Sequence, residues 1–126
     1  MKDFQIGWEE WASFPKLGIS ALKIKTDTGA KTSALHANNI RLAGTAKNRK
    51  VIFELSPDVL QPEVRILCSA KVIDQREVTS SNGASELRYI ISTSIKIGPK
   101  TWDIEISLTN RENMAYRMIL GRQALE

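Results

Sequence analysis

A chain of 126 residues with a formal net charge of +4 and a single cysteine can build one core but not two lobes that each carry a barrel. One cysteine excludes an internal disulfide and fits a reducing compartment. Charges within the opening Met1-Lys2-Asp3-Phe4-Gln5-Ile6, with no apolar stretch, give neither a secretory leader nor a membrane span. The expectation is one cytoplasmic domain over residues 1–126 with no membrane partner, and lysines and arginines scattered along the chain argue for no nucleic-acid partner.

The first predicted strand, Ser20 to Thr26, contains the alternating run Ala21-Leu22-Lys23-Ile24-Lys25. It leads directly into Asp27-Thr28-Gly29-Ala30, with a small hydroxyl at Ser33. A carboxylate at a strand end has a short side chain on rigid backbone, as catalysis requires. Gly29, without a Cβ, lets another backbone or a substrate approach, and the Thr28 hydroxyl can donate and accept beside the acid. Asp and Gly are also turn formers, so a plain strand-ending turn gives the same triplet. His36 follows Ala34-Leu35 on a strand, where a structural, hydrogen-bonded histidine is the simpler assignment.

Further strands are predicted over Ile40 to Ala43, Lys50 to Leu55 and Val64 to Asp74, with loops at Ala43 to Lys50 and Ser56 to Pro62. Cys68 within the third reads as a small buried hydrophobe. Asn82-Gly83, between Ser80-Ser81 and Ala84-Ser85, is a hairpin signal because a type I′ turn needs positive φ at both central residues. It divides strands over Lys71 to Thr79 and Glu86 to Ser94. After a turn at Ile97-Gly98-Pro99-Lys100, Trp102 to Leu108 alternates cleanly, and Tyr116 to Leu120 is the last strand before Gly121-Arg122 and a helix start at Gln123. Short strands this closely spaced, with almost no helical period, predict a mainly β fold: a small closed barrel with one short C-terminal helix.

Asp27-Thr28-Gly29-Ala30 and Ile119-Leu120-Gly121-Arg122, in that order and separated by strand-like sequence, resemble the retropepsin-like aspartic proteases. Ile6-Gly7-Trp8-Glu9-Glu10-Trp11, the stretch Lys25 to Ala37, and Leu108-Thr109-Asn110-Arg111 running into Leu120-Gly121-Arg122 are similar more closely to a bacterial family labelled ATP-dependent zinc proteases. The resemblance covers nearly the whole chain and implies a retropepsin-like barrel with aspartic-peptidase activity. That chemistry uses two carboxylates sharing one proton, one activating water and the other protonating the developing oxyanion. Asp58, Asp74 and Asp103 lack the small flanking residues, so the single Asp-Thr-Gly implies a symmetric homodimer in which each subunit contributes Asp27.

In that arrangement Asp27, Thr28 and Gly29 form the catalytic motif, with Thr28 bonding across the two-fold axis. Ala30 joins Gly29 in lining the substrate cleft, and Asn82-Gly83 closes over it as a lid, or is an ordinary hairpin of the barrel. Arg88 and Arg122 fall, with Arg76, Arg111 and Arg117, in the half carrying the hairpin and the second motif; they permit an acidic substrate, although a solvated basic surface has the same composition. The pattern departs from the retropepsins at Lys31, where those enzymes carry an acid that pairs with the arginine after Leu-Gly. Arg122 is thereby left to meet a substrate carboxylate or to cap a loop.

The family label names zinc and ATP, but the residues supply neither. There is no His-Glu-x-x-His, one histidine and one cysteine are too few for a three- or four-ligand site, and Gly98-Pro99-Lys100 is no phosphate loop. No metal and no cofactor are expected. The resemblance further implies association with ATP-grasp ligases that add glutamates to protein termini, and hence an acidic polypeptide tail as substrate. A non-catalytic barrel that binds a peptide or protein is the competing assignment, and a metallohydrolase a third.

Overall fold

The computed structural model describes residues 9–27, 29–58, 60, 61, 63–79, 83–110 and 116–125. Its strands are β1 (Glu9–Phe14), β2 (Ile19–Asp27), β3 (Ser33–His36), β4 (Asn38–Gly44), β5 (Arg49–Leu55), β6 (Ile66–Thr79), β7 (Ser85–Ile97), β8 (Lys100–Thr109) and β9 (Met118–Gly121). They pair in the order β1-β2-β9-β3-β8-β7-β6-β5-β4, and a further β1–β7 contact pairs Ser13 with Lys96. That contact closes a ring through β1, β2, β9, β3, β8 and β7, the predicted closed barrel, from which β6, β5 and β4 continue as an antiparallel extension. β6 serves both parts: Ile66 to Lys71 pair with β5, and Val72 to Thr79 pair with β7, with a register shift between Val72 and Asp74.

Alternation places the core. On β2, Leu22 and Ile24 are fully buried while Lys23 points outward, and on β8 Ile104 and Ile106 are buried between exposed Asp103 and Glu105. Phe14, Phe53, Leu35, Ile91, Ile95 and Met118 complete the interior. Each such side chain contributes about 2 kcal/mol by leaving water. Among the described residues, no helix is long and apolar enough to cross a membrane.

The structure departs from the predicted elements in four places. β1 was not predicted, because Glu9-Glu10-Trp11 offers no apolar period and only Ala12 and Phe14 face inward. For β3 the sequence marks a strand only at Ala34-Leu35-His36 and gives it no bounds, because, flanked by β8 and β9, it buries Ser33, Leu35 and His36 with little alternation to show. The segments predicted separately at Val64 to Asp74 and Lys71 to Thr79 are one continuous strand. The C-terminal helix is a single 3-10 turn, Arg122–Leu125, anchored where Trp102 Nε1 donates to the Ala124 carbonyl at 2.9 Å.

At the hairpin, Thr79 pairs with Ser85, which leaves the five residues 80–84 across the tip. Gly83 takes φ of +85°. A positive φ is what a turn at Asn82-Gly83 requires of its second residue. Asn82 itself lies outside the described residues.

Cys68 is buried as predicted, 3% exposed, with its Sγ 3.5 Å from the Leu17 carbonyl oxygen. Burial pushes the thiol up to about 11, and only the thiolate attacks electrophiles. In the native protein at pH 8, iodoacetamide is therefore expected to modify Cys68 at least a hundredfold more slowly than in denaturant, a difference readable by mass spectrometry.

Candidate active site

The parallel pairing of β2 with β9 sets Asp27 directly beside Gly121, both at the C-terminal ends of their strands. Chain segments almost a hundred positions apart thus meet on rigid backbone. The loop between β2 and β3 is tied down residue by residue. Gly29 N–H donates to Asp27 Oδ1 at 3.0 Å, and Ala30 N–H donates to the Asp27 carbonyl at 3.1 Å. The Ala30 carbonyl accepts from Arg122 N–H at 2.8 Å and the Lys31 carbonyl from Gln123 N–H at 3.2 Å. The two halves of the sequence motif are therefore one hydrogen-bonded unit.

Beneath it, Gly121 N–H donates to Ser33 Oγ at 3.0 Å, and Ser107 Oγ donates to the Ser33 carbonyl at 2.8 Å. Gly121 permits this closeness. A Cβ there would lie 2.7 Å from the carbonyl carbon of Thr32 and 2.9 Å from the oxygens of Lys31 and Thr32. Only glycine fits without moving the loop that carries Asp27.

Asp27 opens onto a cavity of about 960 Å³. Gly29, Ala30, Lys31, Thr32 and Arg122 line it on the loop side, Arg76, Glu77, Val78 and Thr79 on the β6 side, and Glu105 and Gln123 between them. Arg76 is neutralised, with Nε 2.6 Å from Asp74 Oδ2 and Nη1 3.1 Å from Glu105 Oε1. Lys31 and Arg122 form no ion pair among the described residues.

Of the residues singled out in the sequence, Asp27, Gly29, Ala30 and Arg122 come together in this cavity. Thr28 lies outside the described residues, as does Asn82. Gly83 and Arg88 do not line the cavity. Arg88 is only 5% exposed; its Nε sits 3.2 Å from Glu86 Oε1, and its Nη1 donates to Ser107 Oγ at 3.4 Å. That location makes it a support of the Ser107–Ser33 link, because its guanidinium is engaged by Glu86 and Ser107 away from the cavity. His36 is buried at the end of β3, its backbone N–H donating to the Arg117 carbonyl at 2.8 Å. Among the described residues, no group of three His, Cys, Asp or Glu side chains converges.

Sequence reasoning singled out neither Arg76 and Val78 nor Glu105 as cavity residues. Alternation alone carried the signal: Arg76 and Val78 share one face of β6, and Glu105 faces outward on β8, but which strands cross the Asp27 loop depends on the topology.

Comparison with known proteins gives a consistent neighbourhood. The family model described as "RimB-like: Retropepsin-like aspartic endopeptidase RimB" matches residues 5–126. Proteins named "Probable alpha-L-glutamate ligase" from Shewanella pealeana and Desulfotalea psychrophila are 47% and 46% identical over 97% and 95% of this chain. The chain spans only about a quarter of those relatives, 27% and 26% of their lengths. In three dimensions it is similar to a Legionella pneumophila protein of unknown function, with a TM-score of 0.76, 26% identity, and coverage of 94% of this chain and 84% of that one.

Proposed function

The chain belongs to the RimB-like family of retropepsin-like aspartic endopeptidases, and from that membership we propose that it hydrolyses peptide bonds with Asp27, paired across a homodimer with Asp27 of a second copy. The observation that carries this is the seating of Asp27. Its carboxylate accepts the Gly29 N–H, its backbone is locked to β9, and it faces a cavity bounded by the β6 arm of the hairpin. One carboxylate cannot act as base and acid in the same turnover, and the sequence has one Asp-Thr-Gly. A two-fold axis supplies the second, and the shared proton follows from like-charge repulsion at close range. Thr28 bonds across the axis, Gly29 and Ala30 hold the substrate backbone, and the hairpin with Asn82 and Gly83 closes over it. The test is hydrolysis by wild type and Asp27→Asn, with a pepstatin-type inhibitor and a chelator as parallel arms.

The substrate we propose is an acidic polypeptide tail. Lys31 and Arg122 carry positive charge without an ion pair among the described residues, while Arg76 is balanced by Asp74 and Glu105; the Glu77 carboxylate and Asp27 itself are the other charges on the walls. Relatives named for glutamate ligation, of which this chain matches a quarter, support a working partnership with an ATP-grasp glutamate ligase in the cytoplasm, the 126 residues forming one retropepsin-like unit. Arg122→Gln is expected to raise KM for a glutamate-rich peptide about five- to tenfold with kcat within about twofold. Added salt should erase the difference, because exposed charges are screened. Equal KM values at low salt would remove Arg122 from substrate recognition.

A further inference from the structure

At the opposite end of β9 from Asp27, about 13 Å along the strand, lies a second cavity of about 590 Å³ that shares no lining residue with the first. Its walls are largely apolar and aromatic, from Trp11 on β1, Ala21 on β2, Leu60 after β5, and Tyr116 just before β9. Trp11 is 62% and Leu60 86% exposed, so two large apolar side chains flank an opening that no described residue fills. Arg117 also lines it. This arginine is 7% exposed, and among the described residues its Nε has no hydrogen-bond acceptor and its guanidinium no ion pair.

A guanidinium so enclosed is anomalous. Buried charges in native proteins are paired, because desolvation without a counter-charge is costly. The other groups at the cavity are already engaged. Lys23 Nζ is 2.6 Å from Glu9 Oε1 and 5.9 Å from the centre of the Trp11 ring, and Asp58 Oδ1 accepts the Leu60 N–H at 2.9 Å without pairing with Arg117. The backbone holds Arg117 in place through the bond from His36 N–H to its carbonyl.

We propose that this cavity is a second binding site, taking a carboxylate attached to an apolar or aromatic body, with Arg117 receiving the carboxylate and Trp11, Leu60 and Tyr116 enclosing the body. An apolar pocket with one convergent charged group is the usual form of a small-ligand site, and arginine presents a fork of donors that matches a carboxylate. Free acids and the C-terminal residue of a peptide both offer this chemistry. The site is independent of the Asp27 cleft and stands whether or not that cleft hydrolyses peptides.

The test is a ¹H–¹⁵N NMR titration of the wild-type protein with 3-phenylpropionate, its neutral amide, and a tripeptide ending in phenylalanine with a free carboxylate. Saturable shifts are expected at Leu60, Tyr116 and the Trp11 indole N–H, with the amide at least tenfold weaker than the acid. A tripeptide that binds more tightly than 3-phenylpropionate identifies a chain terminus as the source, and the reverse order a free acid. Arg117→Gln should weaken the acid at least tenfold and leave the amide unchanged. Since a buried substitution risks the fold, Leu60→Ala, at an exposed position, should weaken both about threefold with all other resonances in place. Equal affinity for acid and amide, undiminished binding by either variant, or shifts confined to Gly29 and Ala30 would overturn the proposal.

Discussion

Asp27→Asn is expected to abolish hydrolysis of a glutamate-rich peptide, by about four orders of magnitude or more, while leaving the fold intact. General acid and general base each contribute roughly 10² to 10⁴ in rate, and in a two-fold dimer the one substitution removes both. The asparagine is nearly isosteric, and its Oδ1 can still accept the Gly29 N–H that Asp27 Oδ1 accepts at 3.0 Å. The thermal midpoint should stay level or rise slightly, because a neutral amide relieves the repulsion between two carboxylates at the axis. Subunit mixing adds a quantitative check: an equal mixture of freely exchanging wild type and variant should show about half the activity of its wild-type content alone, since mixed dimers carry one carboxylate. Retained hydrolysis, or unfolding well below the wild type, would make Asp27 an ordinary turn residue.

The second large effect is expected at Gly121. Gly121→Ala puts a methyl 2.7 to 2.9 Å from the backbone of Lys31 and Thr32, and neither chain can yield: one is β9, paired on both sides, and the other is the loop bonded to Arg122 and Gln123. Overpacking against fixed backbone costs about 2 kcal/mol, which for a domain of this size lowers the melting temperature by roughly 8 °C. Activity should fall further than stability, by about a hundredfold at a temperature where the variant is fully folded, because a shift near 1 Å in a catalytic group costs that much. Calorimetry and steady-state kinetics on the same sample separate the two. A variant as stable and active as the wild type would show that the motif's second half is a spectator.

How far the sequence discloses this molecule differs between its parts. β2 and β8 are legible because each has one face in the core and one in water, which writes Leu22, Lys23, Ile24 and Ile104, Glu105, Ile106 as an alternating code. β3 shows only as a strand without bounds around Ala34 to His36 for the converse reason, being enclosed in the sheet by β8 and β9. Asp27 and Gly121 were picked out by residue type and order, whereas their adjacency is a product of the parallel β2–β9 pairing, which no local pattern encodes. Arg88 shows the opposite failure. Counting cations places it with Arg122, yet Glu86 and Ser107 draw it inward, and composition cannot tell a buried support from a charge that faces substrate. Arg117 was only one of a scattered set of basic residues until its enclosure gave it a distinct character.

The position of β9 also dictates when the molecule can come into being. This four-residue strand lies between β2 and β3 and is supplied by residues 118–121, so the sheet on either side of it waits for nearly the last of these residues to arrive. Until then a growing chain displays two unsatisfied strand edges, the templates on which chains pair with one another. Pairings between positions so distant in sequence also repay their loop-closure entropy late, which places such topologies at the slow end of two-state folding, milliseconds to seconds. Asp27, made early, therefore acquires its support last: its carboxylate is not held in the geometry described above until β9 has taken its place.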